Sequence, residues 1–476
     1  MRWLSRHYFF CQTGAHCFLG TSALKQDAIL NMDQRLSDRM TYTTFTASTQ
    51  RVRFFAASQT VPEDTFGESL AELKQLAQDQ GVTLTELNLF ASGLSESPEF
   101  AKKLCGIAAD VFAQTAGISL QIDRIPQSPG VGLVAWEAYG IGPLAPNDET
   151  VRIDARNGVL NVEYAGLQWI HLPTSGSLLP LSDTRRGGRV HTDCLEEFRR
   201  LRERLESLEL SVSFGEIVRT WLYLGDIVGP ERVVDSLPEP QLEPQSESMS
   251  EPQSERPCVA TTQRYRELNR ARSDFFDTVT FATERTVTSG VPFYPASTGI
   301  GTDGRGILFA ARALHSDRSD VQVVMLENPR QVSAFDYGRE YSLSSPKFAR
   351  ALAVLADEVA IVFISGTASI TDSESRHDDV ARQTHETLDN IAALVGEANF
   401  ARMGRSGYGV ELTELASIRV YVKRVEEIPT VRTICETRLP SVPAIYVVAD
   451  VCRPELLVEI EGLAVTSLRD NVMGPI

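Results

Sequence analysis

The segment CRPELLVEIEG, Cys452–Gly462, sets two carboxylates, Glu459 and Glu461, and a cysteine into an otherwise apolar, strand-like run. Two-residue alternation assigns Leu457, Glu459 and Glu461 to one side of a strand and Leu456, Val458 and Ile460 to the other. If the apolar side packs on helices, the glutamates meet either solvent or a cleft, and patterning by itself favours solvent. A carboxyl held between apolar walls has its pKa raised and can deliver a proton near neutral pH, the property of a general acid.

A second concentration of chemistry is NPRQVSAFDYGREYSLSSPKFAR, 328–350, which gathers Arg330, Arg339, Lys347 and Arg350 with Tyr337 and Tyr341. As a solvated loop it needs no function. As a pocket wall it offers bidentate guanidinium and phenol donors to a small dicarboxylate. FYPASTGIGTDGRG, 293–306, is glycine-rich, but it lacks the GxGxxG helix context and the lysine of GxxxxGK[ST], so nucleotide binding is weakly supported. The histidines never fall in HxxxH or HExxH, the cysteines show no CxxC spacing, and there is no GxSxG. Neither a metal site nor a serine hydrolase is expected.

These residues must be positioned by elements that the hydrophobic pattern suggests twice. LQWIHLPTSGS (167–177) reads as a strand ending in a small-residue turn, DCLEEFRRLRERLESLE (193–209) as a helix, and EIVRTWLYL (216–224) as a second strand. VAIVFISGTAS (359–369), DVARQTHETLDNIAALV (379–395) and ASIRVYVKR (416–424) repeat that order, which puts Arg219 and Arg419 at equivalent places. PAIYVVADV (443–451) and LLVEIEGLAV (456–465) add two strands around a turn at Pro454. Residues 66–125 read as mostly helical. The run SLPEPQLEPQSESMSEPQSERP (236–257) repeats EPQ without an aromatic residue and cannot bury a core.

With 476 residues, 42% of them hydrophobic, the chain supports two or three domains. We divide it into a disordered tail at 1–45, an N-terminal domain at 46–235 with the first unit at 150–235, an insertion at 236–260 and a C-terminal catalytic domain at 261–476. A formal net charge of -17 argues against nucleic acid, so an anionic substrate needs a locally basic pocket. An odd set of seven scattered cysteines suggests reduced thiols and a cytoplasmic protein. No run of 18 apolar residues suggests a membrane span. The opening MRWLSRHYFFCQTGAHCFLGTSA has its apolar run broken by Gln12, Thr13 and His16, which favours a tail, or a start at Met32 or Met40, over a signal peptide.

Taken together, RTWLYLGDIVGPE, RYRELNRARSDFF, YPASTGIG, NPRQVSAFDY, SPKFARA, ISGTAS and CRPELLVEIEG resemble the chorismatases, across about residues 150–470. That resemblance implies an α+β fold of two Rid-like (chorismate mutase-like) domains, mixed sheets with helices on one face, plus an N-terminal helical extension. It also implies cleavage of the enolpyruvyl ether of chorismate to pyruvate without cofactor or metal. Glu459 then matches the catalytic acid, whereas Glu461 matches no catalytic role. Cys452 and Gly366 match the small pocket wall of the branch that forms 3-hydroxybenzoate, in some members with 4-hydroxybenzoate. Arg330, Arg350 and Arg419 are expected to bind the carboxylates, with Tyr294, Thr298, Tyr337 and Tyr341 as hydrogen-bond donors. Alternatives are hydrolysis to a dihydroxycyclohexadiene carboxylate, a Rid-type imine deaminase and a non-catalytic ligand-binding module. Deaminases of that type use an arginine after a Pro-Ala pair, where this chain has Ile445 after Pro443-Ala444. Both a monomer and a homotrimer are compatible with the duplication.

Overall fold

The computed structural model describes residues 30–36, 40–113, 120–145, 150–177, 189–208, 210, 212–232, 261–282, 284–288, 290–336 and 345–469. The first sheet contains β1 (Leu30–Leu36), β2 (Thr41–Ala47), β3 (Val52–Pro62), β4 (Thr83–Phe90), β5 (Gln121–Ile125) and β6 (Leu133–Pro143), in the order β1-β2-β3-β6-β4-β5. Its helices are α1 (Phe66–Asp79) and α2 (Pro98–Phe112). The second sheet opens with β7 (Val151–Arg156), β8 (Val159–Tyr164) and β9 (Leu167–Ser177), followed by α3 (Val190–Glu206) and β10 (Ile217–Gly225). The short strands β11 (Pro230–Arg232) and β12 (Thr261–Gln263) pair with each other across the EPQ segment, which lies outside the described residues. After α4 (Arg264–Phe276) and β13 (Thr286–Val287), the strands β14 (Ala296–Thr302) and β15 (Ile307–His315) complete the second sheet in the order β14-β10-β15-β9-β8-β7.

The third sheet joins β13 to β16 (Gln322–Leu326), β17 (Ala351–Ala356), β18 (Val359–Ala368), β19 (Leu415–Val422), β20 (Ala444–Val448) and β21 (Val458–Ser467). Its order is β13-β16-β17-β18-β21-β19-β20, and its helices are α5 (Val380–Val395), α6 (Glu397–Arg402) and α7 (Ile428–Arg438). Local chemistry fixes the helix starts. Ser97 accepts from Phe100 N with Pro98 at the first helical position of α2, and Asp379 accepts from Arg382 N to cap α5.

One plan is thus used three times. In each sheet the last strand in sequence (β6, β15, β21) inserts antiparallel between the strand before the first helix and the strand after it. The strand after the second helix (β5, β14, β20) pairs parallel with its neighbour. Helices cover one face of each sheet: Leu70, Leu73 and Leu104 in the first, Phe198, Leu268 and Phe275 in the second, Leu388, Ile391 and Val431 in the third. The helix-free faces turn toward one another, burying Phe45, Trp169 and Phe363 in one shared cluster and Phe90, Tyr223 and Ile445 in another.

The α+β class, with mixed sheets and helices on one face, agrees with expectation. Several particulars do not. The supposed N-terminal helical extension is a third sheet unit: α1 and α2 are helices, but β4 and β5 alternate with them. The threonine-rich β2, TYTTFTA, lacks clean apolar alternation because both of its faces are buried, so the pattern of a half-exposed strand is missing. The tail assigned to 1–45 holds β1 and most of β2, so residues 30–36 and 41–45 are strand. The boundary at 261 also fails, because α4, β14 and β15 belong to the second unit. Finally, each unit carries a bulge in the strand after its first helix, and these bulges align Arg219 with Ser417, and Trp221 with Arg419. Arg219 and Arg419 are offset by two residues. Among the described residues no helix is long and apolar enough to cross a membrane.

Candidate active site

Pro454 lies in a turn in which Leu456 N donates to Arg453 O at 3.2 Å, so β21 begins only at Val458. Leu457 joins Val458 and Ile460 in the helix-covered core, not the side of Glu459 on which alternation had put it. Glu459 and Glu461 face the helix-free side, yet they are only 5% and 4% exposed. The solvent reading is therefore corrected: the face that an isolated sheet would give to water is covered here by the second sheet.

The two carboxylates have opposite surroundings. Glu461 accepts from Arg219 Nη2 at 2.8 Å and Trp221 Nε1 at 2.9 Å, with Arg419 Nη1 at 3.3 Å. Burial opposes its ionisation, but the guanidiniums of Arg219 and Arg419 outweigh burial and hold its pKa below the usual range. Glu459, two residues earlier, is pushed up to about 8, chiefly by burial and then by the charge of Glu461, while Arg350 and Arg219 pull the other way. One strand face thus carries a fixed anion beside a carboxyl that keeps its proton at neutral pH.

Gly366 and Thr298 form the floor beneath Glu459. The β18–β21 ladder is irregular between Ile364 and Thr367, and a Cβ at Gly366 would lie 1.9 Å from Glu459 Oε1. The Thr298 hydroxyl accepts from Arg219 Nη2 at 2.6 Å and from Gly366 N at 3.0 Å, and it hydrogen-bonds Glu461. A hydroxyl has one proton and two lone pairs, so Thr298 has nothing left to give a substrate. This corrects its expected role as a donor. Thr298→Val is expected to cost about 2 kcal/mol in urea unfolding, because the shape is kept while buried donors lose their acceptor.

Cys452 is brought beside Glu459 by the Pro454 turn, and burial first, then the Glu459 charge, pushes its thiol up to about 12. A thiol held so high is not a thiolate nucleophile. Arg350 stacks its guanidinium 5.4 Å from the Phe348 ring, donates to Val332 O at 3.0 Å, and its charge reaches both Glu459 and Cys452. Tyr294 joins an aromatic wall with Phe276, Phe281 and Phe335 at centroid distances of 6.4, 6.2 and 5.9 Å.

No family model matches the chain. It is 40% identical over 206 residues to a 3-hydroxybenzoate synthase of Streptomyces hygroscopicus, covering 42% of this chain and 56% of that protein. It is 41% identical over 177 residues to a chorismatase of Streptomyces rapamycinicus, covering 36% of this chain and 50% of that protein. The chain therefore spans about half the length of the curated relatives it matches. A chorismatase crystal structure superposes with a TM-score of 0.55 at 22% identity, covering 80% of this chain and 93% of that one. The chain has the chorismatase fold.

Within that chorismatase fold the expected site residues separate into groups. Glu459, Cys452, Gly366, Thr298 and Arg350 converge at the seam of the second and third sheets. Arg419 lies deeper, between Glu461 and Glu137 of the first sheet, where it donates through Nε to Glu137 Oε1 at 2.8 Å. With two carboxylate partners it is not placed to bind a third, which corrects its expected role. Arg330 directs its charge toward Glu386 on α5. Tyr337 and Tyr341 lie outside the described residues. GIGTDG is no phosphate loop: a Cβ at Gly299 would come 3.2 Å from the Tyr265 ring and one at Gly301 would come 2.8 Å from the Asp450 backbone, so these glycines let neighbouring segments close in.

Two residues at this seam were missed. Arg272 and Tyr265 on α4 face the same seam; Tyr265 senses the charges of Cys452, Arg272 and Glu459. Arg272 is 1% exposed, donates to Asn269 Oδ1 at 2.6 Å and Ser297 Oγ at 3.4 Å, and leaves Nε without a partner. Among the described residues no carboxylate pairs with it. The signal was available, since Arg272 shares the buried face of α4 with Leu268, Ala271 and Phe275, and a cation at such a position asks for an anion.

Proposed function

We propose that this chain cleaves the enolpyruvyl ether of chorismate to pyruvate and 3-hydroxybenzoate, with Glu459 as general acid. The observation that carries the reading is the buried carboxyl of Glu459, still protonated near neutral pH and set directly against Gly366. An enol ether is stable until its terminal methylene carbon takes a proton. Glu459 supplies that proton, the methylene becomes a methyl group, and the adjoining carbon becomes an oxocarbenium centre. The ring hydroxyl then displaces the side chain. The electrons of the broken ring C–O bond form the ketone of pyruvate, the hydroxyl proton returns to Glu459, and the ring rearranges to an aromatic phenol. No water enters or leaves the balance, unlike hydrolysis to the dihydrodiol.

The buried Arg272 and the adjacent Arg350 are the guanidiniums we assign to the substrate carboxylates, a local basic pocket within a chain of net charge -17. The neutral thiol of Cys452 and the bare Gly366 favour the aromatising branch, in which the seam must leave no room for an attacking water. A Rid-type deaminase is disfavoured because Ile445, at the position of that family's arginine, is fully buried in apolar surroundings.

Release of pyruvate from chorismate by the purified protein, with chromatography of the aromatic product, tests the reading; folded protein that releases none above background refutes it. Cys452→Ala, which vacates space for about one water, is expected to change the ratio of 3-hydroxybenzoate to other products more than total pyruvate. Unchanged product ratios would remove Cys452 from that role.

A further inference from the structure

Glu461 and Glu137 hold the same place in two different sheets. Counting from the aligned bulges, β21 sets Glu461 opposite Arg419, β6 sets Glu137 opposite Asn88, and β15 has Ala310 at that level. The two carboxylates share one arginine. Arg419 approaches Glu461 through Nη1 and donates to Glu137 through Nε and Nη2, while Asn88 Nδ2 donates to the same Oε1 at 2.9 Å. A chain of charges therefore runs from the first sheet through Arg419, Glu461 and Arg219 to Thr298 and Gly366, the floor under Glu459. Two guanidiniums and two carboxylates in it cancel.

We propose that Glu137, a residue of the first sheet, is a positioning residue for the acid on the third: by taking up one of the two guanidinium charges around Glu461 it keeps the ground beneath Glu459 from becoming positive. The proposal rests on Glu459 being the acid of the proposed reaction. Without the Glu137 charge, Glu461 would be outnumbered by Arg219 and Arg419, and a net cation two residues along the strand would favour the ionised form of Glu459. Glu459 otherwise faces Arg219 from β10, Arg350, Tyr265 from α4, Tyr421 opposite it on β19, and Cys452. Facing Arg419 are Tyr223 and Tyr421, both buried phenols whose pKa burial raises, and Tyr139 lies beside Glu137. Glu86 and Arg312 further along the seam pair with each other. None of these groups stands in for the charge at 137.

Glu137→Gln is a clean deletion of charge, because all three donors meet Oε1 and an amide oxygen can stay there. The infrared C=O band of the protonated carboxyl, taken as wild type minus Glu459→Gln, is followed against pH without substrate, alongside the pH profile of kcat/KM. Glu137→Gln is expected to lower the midpoint of both by about one pH unit, and Glu137→Asp, which keeps the charge, to leave them in place. An unmoved midpoint in folded Glu137→Gln, or an equal fall in Glu137→Asp, overturns the proposal. Should Glu137→Gln not fold, the same two readings are taken on Glu137→Ala, whose smaller side chain deletes the same charge and admits a water to Arg419, and an unmoved midpoint there overturns the proposal. If chorismate is not turned over but the infrared midpoint moves as stated, the coupling stands and the proposed reaction falls.

Discussion

Glu459→Gln is expected to lower kcat/KM for pyruvate release from chorismate by about 10³-fold, since the amide keeps the shape of the acid but has no proton to transfer. The wild-type rate should be flat through neutral pH and fall tenfold per unit above about 8, where Glu459 ionises. The same carboxyl links activity to stability. Its pKa is raised from 4.5 in the unfolded chain to about 8 in the folded one, so between these values the folded state holds a proton that the unfolded state lacks. Its contribution to stability is complete below pH 4.5 and is lost as pH rises through 8. Above that, wild type carries a buried anion that Glu459→Gln does not, and the variant should gain on the order of 4 kcal/mol relative to wild type between pH 5 and pH 9 in urea unfolding. A variant that loses activity but shows no relative gain at high pH would mean that Glu459 does not hold a proton in the fold.

Gly366→Ala should be nearly as damaging, by about 10²-fold in kcat/KM, with a smaller loss of stability. The added methyl would occupy the place of Glu459 Oε1, 1.9 Å away, and would press Thr298 Cγ2 at 3.2 Å. Thr298 is held by Arg219 and cannot yield, so the acid must turn away from the substrate. Steady-state kinetics separates this from a folding defect: kcat falls while the pH midpoint of the remaining activity moves as Glu459 leaves its buried position. Wild-type kcat in Gly366→Ala would mean that the carboxyl relocates without consequence and is not the proton donor.

Much of this site was legible because its residues break a local pattern. Glu459 and Glu461 stand out as charges at strand positions that alternate with Val458 and Ile460; Arg272, a cation on the buried face of α4, carries the same kind of signal but was missed. What patterning could not say is whether such a face meets water or another sheet. The same ambiguity hid the first unit, since β2 and β3 pack on both faces and so lack the two-residue alternation of a half-exposed strand. Sequence position also misled over Arg219 and Arg419: the bulge that each unit carries sets Arg219 level with Ser417, and a bulge leaves no compositional mark by which to find that register.

Residue types in local order carry the α+β class and two of the three strand–helix–strand units, and it is the chorismatase resemblance of ISGTAS and CRPELLVEIEG that singles out Glu459, Gly366 and Cys452. That Glu459 keeps its proton while Glu461 loses it follows from their neighbours in space. Two carboxylates two residues apart are equal along the chain, but one meets Arg219, Trp221 and Arg419 from two other strands and the other meets Gly366 and Cys452. Ionisation depends on which charges and how much water surround a group in space, and three sheets folded face to face set both.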